Sequence, residues 1–243
     1  MPATTRDSRL LVPLARRPGP LHSVLVHPAG GGLGQYLALA ARLSRHGSVS
    51  GIRAAGLLPG ETPHDSVTAM TRSYLDLLEQ LPERPGLLVG WSLGGVLAWE
   101  LAARMAEEGP APAVVLVDSF TEHTTVSAGE RVEFLDAIER SVSHLGGSAD
   151  TARARSTALA HVEASAAHRT RASHEGPALL VACDSPGRPQ QVRKWHELAD
   201  RLTVCELECG HFEVFTPEHA PALLTHLDAF LARLTDTPQE TPR

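Results

Sequence analysis

The chain has 243 residues, 42% hydrophobic and 21% charged, and a formal net charge of −6 with its 13 histidines neutral. That is ample chain for one α/β domain, and the acidic balance argues against a nucleic-acid or anionic-membrane binder. Cys183, Cys205 and Cys209 are too few and too oddly spaced for a disulfide framework, no apolar run reaches the ~18 residues of a spanning helix, and the first 20 residues lack a signal-peptide core.

A cytoplasmic location is therefore the expectation. A metal site is not expected, because H-x-x-x-H and H-E-x-x-H are both absent. In chain order, short runs rich in Val and Leu alternate with longer helical patterns. A strand is predicted at 23–27, then a glycine-rich loop and a helix at 35–45. A strand at 49–54, a helix at 66–81, a strand at 86–89, a helix at 94–108 and a strand at 113–117 follow. Residues 121–176 break the rhythm. They are polar, His-rich and Ala-rich, and so long a stretch between strands reads as an inserted helical lid rather than a plain crossover. The pattern resumes with a strand at 178–183, a helix at 190–201, a strand at 202–207 and a helix at 217–234. Continuous apolar strands suit a mostly parallel sheet buried on both faces, with chemistry at the carboxyl ends of its strands. One domain over 11–234 is expected, with 1–10 and 235–243 as disordered tails.

The strongest local signal is Gly90-Trp91-Ser92-Leu93-Gly94, directly after Leu87-Leu88-Val89 and directly before a helical pattern. G-x-S-x-G between strand and helix is the nucleophile elbow of the α/β-hydrolase fold. The turn is so sharp that side chains at Gly90 and Gly94 would collide across it. Ser92 is then the candidate nucleophile, and a hydroxyl needs a neighbouring base to take its proton. Chain order in this fold is Ser, acid, His, with the His after the last strand. His211, in Cys209-Gly210-His211-Phe212, fits, whereas His219 and His226 belong in or beside the final helix. Two backbone donors are needed for an oxyanion: the N–H of Leu93, and one from His27-Pro28-Ala29-Gly30-Gly31-Gly32, where Ala29 is the candidate. His27 is expected to hydrogen-bond within that loop.

Two aspartates compete as the acid. Asp118 follows the strand at 113–117 and Asp184 follows the strand at 178–183, so fold geometry permits either. Asp184-Ser185-Pro186-Gly187 also suits a plain turn. A dinucleotide reading of Gly30-Gly31-Gly32-Leu33-Gly34 fails, because the third glycine of G-x-G-x-x-G would fall on Gln35. Leu145-Gly146-Gly147-Ser148 reads as a lid loop.

Taken together these residues resemble the thioesterases that serve nonribosomal peptide and polyketide synthases. The similarity runs from about Leu11 to Leu234. It includes Leu11-Val12-Pro13-Leu14, His27-Pro28-Ala29-Gly30-Gly31, the Trp91 variant of the elbow, Val117-Asp118-Ser119 and Trp195. The resemblance implies a substrate chain held as a thioester on the phosphopantetheine arm of an acyl or peptidyl carrier protein, which is then the partner. It implies acyl transfer to Ser92, release to water or to an internal nucleophile, and no resident cofactor. The His-Pro-Ala-Gly-Gly loop and the Trp91 elbow are closer to chain-terminating domains, which draw their acid from the position of Asp118. Stand-alone editing (type II) enzymes more often carry His and Met in the elbow and use the position of Asp184. A chain beginning at Met1 with no fused carrier suits the editing kind, so that alternative stays open beside a carboxylesterase for small esters. Arg153, Arg155, Arg169 and Arg171 face a single acid, Glu163, between 151 and 174. Arg153 and Arg155 are thus candidates for docking an acidic carrier, although a solvated helix face would look the same.

Overall fold

The computed structural model describes residues 7–122, 136 and 148–236. Seven strands form one sheet: β1 (Leu11–Ala15), β2 (Ser23–Val26), β3 (Val49–Ile52), β4 (Leu87–Trp91), β5 (Ala113–Val117), β6 (His174–Cys183) and β7 (Ala199–Leu207). Their order is β1-β3-β2-β4-β5-β6-β7, and every pairing is parallel except that of β1 with β3. The helices are α1 (Leu37–Leu43), α2 (Val67–Leu78), α3 (Leu93–Ala106), α4 (Ser148–Ala167), α5 (Arg188–His196) and α6 (Ala220–Asp236).

Successive side chains along a strand point to opposite faces, and here both faces are covered. Val24, Leu88, Val114, Leu116 and Leu180 join a core with Met70, Leu97, Trp99 and Trp195, which come from α2, α3 and α5. Leu25, Val89, Val115, Val117 and Val181 join another with Leu39, Leu43, Leu223 and Leu227, which come from α1 and α6. Burying each such Val or Leu is worth ~1.5–3 kcal/mol, so the unbroken apolar runs are what select this sheet.

Several boundaries differ from the sequence expectations. The apolar pattern does not predict β1, because Pro13 interrupts it; a sheet edge tolerates a proline, and β1 is the edge. Residues 7–10 are not a disordered tail. They form a 3-10 turn with Leu10 buried, and Arg53 N–H donates to the Leu10 carbonyl at 2.9 Å. At the other end, 235 and 236 continue α6. The remainder of both tails lies outside the described residues. The predicted helix at 190–201 stops at His196, since 199–201 already pair with β6.

The insertion is shorter than 121–176. An antiparallel bridge joins Glu122 to Arg169, and Thr170 N–H donates to Thr121 O at 2.8 Å, so the chain leaves and returns at one place. β6 begins at His174, whose ring binds Pro112 O at 2.8 Å. Between Glu122 and Arg169 the described residues are 136 and 148–168, nearly all of them in α4. Ser148 opens that helix, while Leu145, Gly146 and Gly147 lie outside the described residues.

Candidate active site

β4 passes into α3 through Ser92, whose φ of 57° and ψ of −124° lie in a region that costs an ordinary residue ~1–3 kcal/mol. Close packing enforces the bend. A side chain on Gly90 would strike the Gly94 carbonyl, one on Gly94 would strike the Val26 and His27 carbonyls, and one on Gly95 would strike Ser119 Oγ. The first turn of α3 is therefore pressed against the loop after β2, which carries Ala29. Both proposed donors, Ala29 and Leu93, are buried at that junction. Ser92 N–H donates to Val117 O at 2.9 Å, which ties the elbow to β5. Tyr36 ties it to β2: its hydroxyl donates to Val26 O at 2.9 Å and accepts from Trp91 N–H at 2.8 Å.

The structure brings Asp118 and His211 together. Asp118 is 2% exposed, and its Oδ2 accepts from His211 Nδ1 at 2.7 Å. Its Oδ1 accepts from Gln191 Nε2 at 3.1 Å and from Cys183 N–H at 3.2 Å. Burial pushes this carboxyl up, but the His211 hydrogen bond and charge, with Gln191 and Cys183 behind them, outweigh it and hold Asp118 below the usual carboxylate range. The carboxylate is thus charged and aimed. Burial pushes the neighbouring Cys183 thiol up, so it stays protonated. The His211 ring lies 5.0 Å from the Trp91 ring, against an aromatic wall with Phe215. Among the described residues no hydrogen bond joins Ser92 to His211; such contacts often tighten only with substrate bound.

Asp184 is elsewhere. Its side chain is 63% exposed and pairs with Arg188 at 3.2 Å. Arg153 and Arg155 lie on α4, where Arg153 is turned onto Asp150 and Arg155 is exposed. Arg169 is likewise engaged, with Glu122 at 3.1 Å. His27 bonds within its loop, to Pro28 O at 2.8 Å. Among the described residues no three His, Cys, Asp or Glu side chains are grouped to hold a metal, and no helix is long and apolar enough to cross a membrane.

The sequence reading missed Tyr36 and Gln191. Gln191 and Trp195 stand one helical turn apart on α5, and both donate to Ser119 O, at 3.0 and 2.7 Å. The i, i+4 spacing of Gln191 with Trp195 was the available signal.

A family model described as "Thioesterase domain" matches residues 23–231. The chain belongs to the thioesterase domain family. Among curated proteins, this thioesterase domain is 38% identical over 84 residues to "Thioesterase frbE" of Dothideomycetidae sp. (strain 11243), covering 34% of this chain and 32% of that one. It is 31% identical over 86 residues to "Nonribosomal peptide synthetase btyA" of Aspergillus terreus, covering 35% of this chain and 9% of that one. The chain thus spans a third or less of the length of these relatives. Among solved structures, the Vlm2 thioesterase domain bound with a dodecadepsipeptide superposes with a TM-score of 0.75 at 20% identity, over 91% of this chain and 98% of that one. The RedJ thioesterase of Streptomyces coelicolor superposes with a TM-score of 0.72 at 23% identity, over 90% and 95%. At these identities the likeness is one of fold: the mostly parallel seven-stranded sheet with its helices is that of the thioesterase α/β-hydrolases.

Proposed function

We propose that this thioesterase domain frees an acyl, peptidyl or polyketide chain from the phosphopantetheine thioester of a carrier protein, through an ester on Ser92. The observation that carries this reading is the buried Asp118–His211 hydrogen bond of 2.7 Å beside a serine on a strained elbow. Ser92 Oγ attacks the thioester carbonyl carbon as its proton passes to His211 Nε2. Asp118 keeps the other ring proton on Nδ1 and balances the imidazolium. The carbonyl electrons collect on oxygen, where the N–H groups of Leu93 and Ala29 are the donors and the α3 dipole adds to them. Collapse breaks the C–S bond, and the departing pantetheine sulfur takes the proton from His211. Water deprotonated by His211 then hydrolyses the Ser92 ester, or an amine or hydroxyl of the chain attacks it and closes a ring. No resident metal or cofactor enters this scheme.

Chain release is favoured over editing by the partnering of His211 with the acid after β5, the position that chain-terminating thioesterases use. Carrier docking is placed at Arg153 and Arg155 on α4, where Arg153 also meets Asp150.

The test compares an acyl-pantetheine thioester with its matching oxygen ester. The thioester should be preferred by ~10-fold or more in kcat/KM. Equal or faster turnover of the oxygen ester would return the chain to the carboxylesterases. A fluorophosphonate should label Ser92, and an unreactive Ser92 would instead indicate a binding module on this fold. Product mass separates the two fates, since a ring is one water lighter than the free acid.

A further inference from the structure

Two imidazoles outside the triad grip the loop that carries Ala29. His27, fully buried after β2, meets Pro28 O through Nδ1 at 2.8 Å and Tyr74 Oη through Nε2 at 2.5 Å. A carbonyl only accepts, so Nδ1 carries the proton and Tyr74 donates to Nε2. His161, also fully buried, comes from α4 in the insertion, and by the same logic its Nδ1–H donates to Ala29 O at 2.9 Å. The two rings stack, with centroids 5.0 Å apart and planes 21° from parallel.

The placement of these bonds matters because peptide units are planar. The Pro28 carbonyl and the Ala29 N–H belong to one plane and point in opposite directions. The Ala29 carbonyl belongs to the next plane. His27, helped by Gly31 N–H at 2.8 Å, pins the first plane from behind, and His161 pins the second. Together they fix both soft torsions of Ala29 and hence the direction of its N–H. A donor on the Pro28 carbonyl also polarises that amide and strengthens its N–H. Both rings act as neutral donors. Burial, with His161 nearby, holds His27 well below its ordinary value, and burial lowers His161 to about 4 against the pull of the Ala29 carbonyl.

The α4 helix can approach so closely because its inward face is small, comprising Ala154, Thr157, Ala158, Ala164 and Ser165 around His161. It lies over Gly56, where a Cβ would fall 2.5 Å from Thr157 Oγ1.

We propose that His161 is a positioning residue for acyl transfer: from the inserted helix it holds the Ala29 carbonyl, aims the Ala29 N–H at the oxyanion, and so makes a complete oxyanion hole depend on α4 being docked. This rests on the reading of Ala29 and Leu93 as the oxyanion donors. The oxyanion is absent from the bound substrate and develops only along the path through the tetrahedral adduct, so loss of aim lowers kcat and spares KM.

Two kinds of variant separate the hydrogen bond from packing. His161→Phe keeps a ring against His27 and loses the donor, with His161→Leu taking its place if the Phe variant does not fold. His161→Asn loses the ring but puts an N–H close to the old Nδ1. On an acyl-pantetheine thioester, the donorless variant should lose ~30–100-fold in kcat with KM within ~3-fold, somewhat less than deleting a donor outright. His161→Asn should stay within ~5-fold of wild type in kcat, even if its Tm is lower. Affinity for a trifluoromethyl ketone that forms a tetrahedral adduct on Ser92 should fall in parallel with kcat/KM. A donorless variant with wild-type kcat, or a folded His161→Asn as impaired as the donorless one, overturns the inference. Ser92→Ala run alongside keeps the two claims apart: activity surviving that change defeats the serine mechanism itself, whereas its loss with inert His161 variants defeats only the role of His161.

Discussion

Asp118 and Asp184 end neighbouring parallel strands, two residues of the same type at the same kind of position, yet their surroundings are opposite. Asp118 is enclosed, accepts three hydrogen bonds from His211, Gln191 and the Cys183 amide, and is held charged despite its burial. Asp184 stands in solvent beside Arg188, which also meets Glu206 and Glu208. The end of a strand offers a place for chemistry. What keeps an acid charged in a buried place is a set of donors that survives exclusion of water, because an ion pair near the surface is worth little and a buried carboxylate without partners would simply protonate.

The sharpest way to break the comparison is to remove each charge in turn. Asp118→Asn should lower turnover by roughly 10³–10⁴, since the amide spoils both the tautomer and the charge balance of His211. Asp184→Asn should cost less than about tenfold on the same substrate. The reverse ranking, with both variants folded, would move the acid to β6 and shift the reading toward an editing enzyme. Gln191→Leu sharpens the contrast without touching the acid. Asp118 then keeps His211 but loses one donor, and turnover should fall by about tenfold, with ~1–3 kcal/mol lost from stability in urea unfolding. Wild-type kinetics in that variant would mean Asp118 is oriented without α5.

The smallest effect is on stability against pH. Burial lowers His22, His27, His161 and His174, His161 to about 4. Unfolded, each imidazole titrates near about 6.5, so between those values the unfolded chain binds more protons than the folded one. Stability is therefore full above pH ~6.5 and falls as the pH drops toward ~4. The low Asp118 acts in the same direction but further down, losing its contribution as the pH falls below ~4. Tm measured by circular dichroism should decline from pH 7 to 4.5, before most carboxylates titrate. An unchanged Tm over that range would contradict the buried, neutral imidazoles.

The elements most legible in the sequence are those whose physics is local. The elbow has its glycines two residues either side of Ser92 because the collision they avoid spans that distance. Strands buried on both faces announce themselves by unbroken Val and Leu. Strand position alone could not separate Asp118 from Asp184, since both end strands; the turn chemistry of Asp184-Ser185-Pro186-Gly187 and the resemblance favoured Asp118, and the partner of His211 is visible only in three dimensions. β1 was hidden by Pro13, which an edge tolerates. Tyr36, Gln191 and His161 act through hydrogen bonds to partners 55, 73 and 132 residues away; Gln191 has its spacing from Trp195 as a mark, but Tyr36 and His161 are single buried polar side chains with no periodicity to mark them.

The central claim is the covalent role of Ser92, and turnover of an acyl-pantetheine thioester by Ser92→Ala tests it most directly. The change removes one oxygen, so the circular dichroism spectrum and Tm should stay near wild type. Turnover should fall by roughly 10⁴ or more. A folded Ser92→Ala variant that kept more than about a tenth of wild-type activity would contradict the account, because no ester could then have formed at this position.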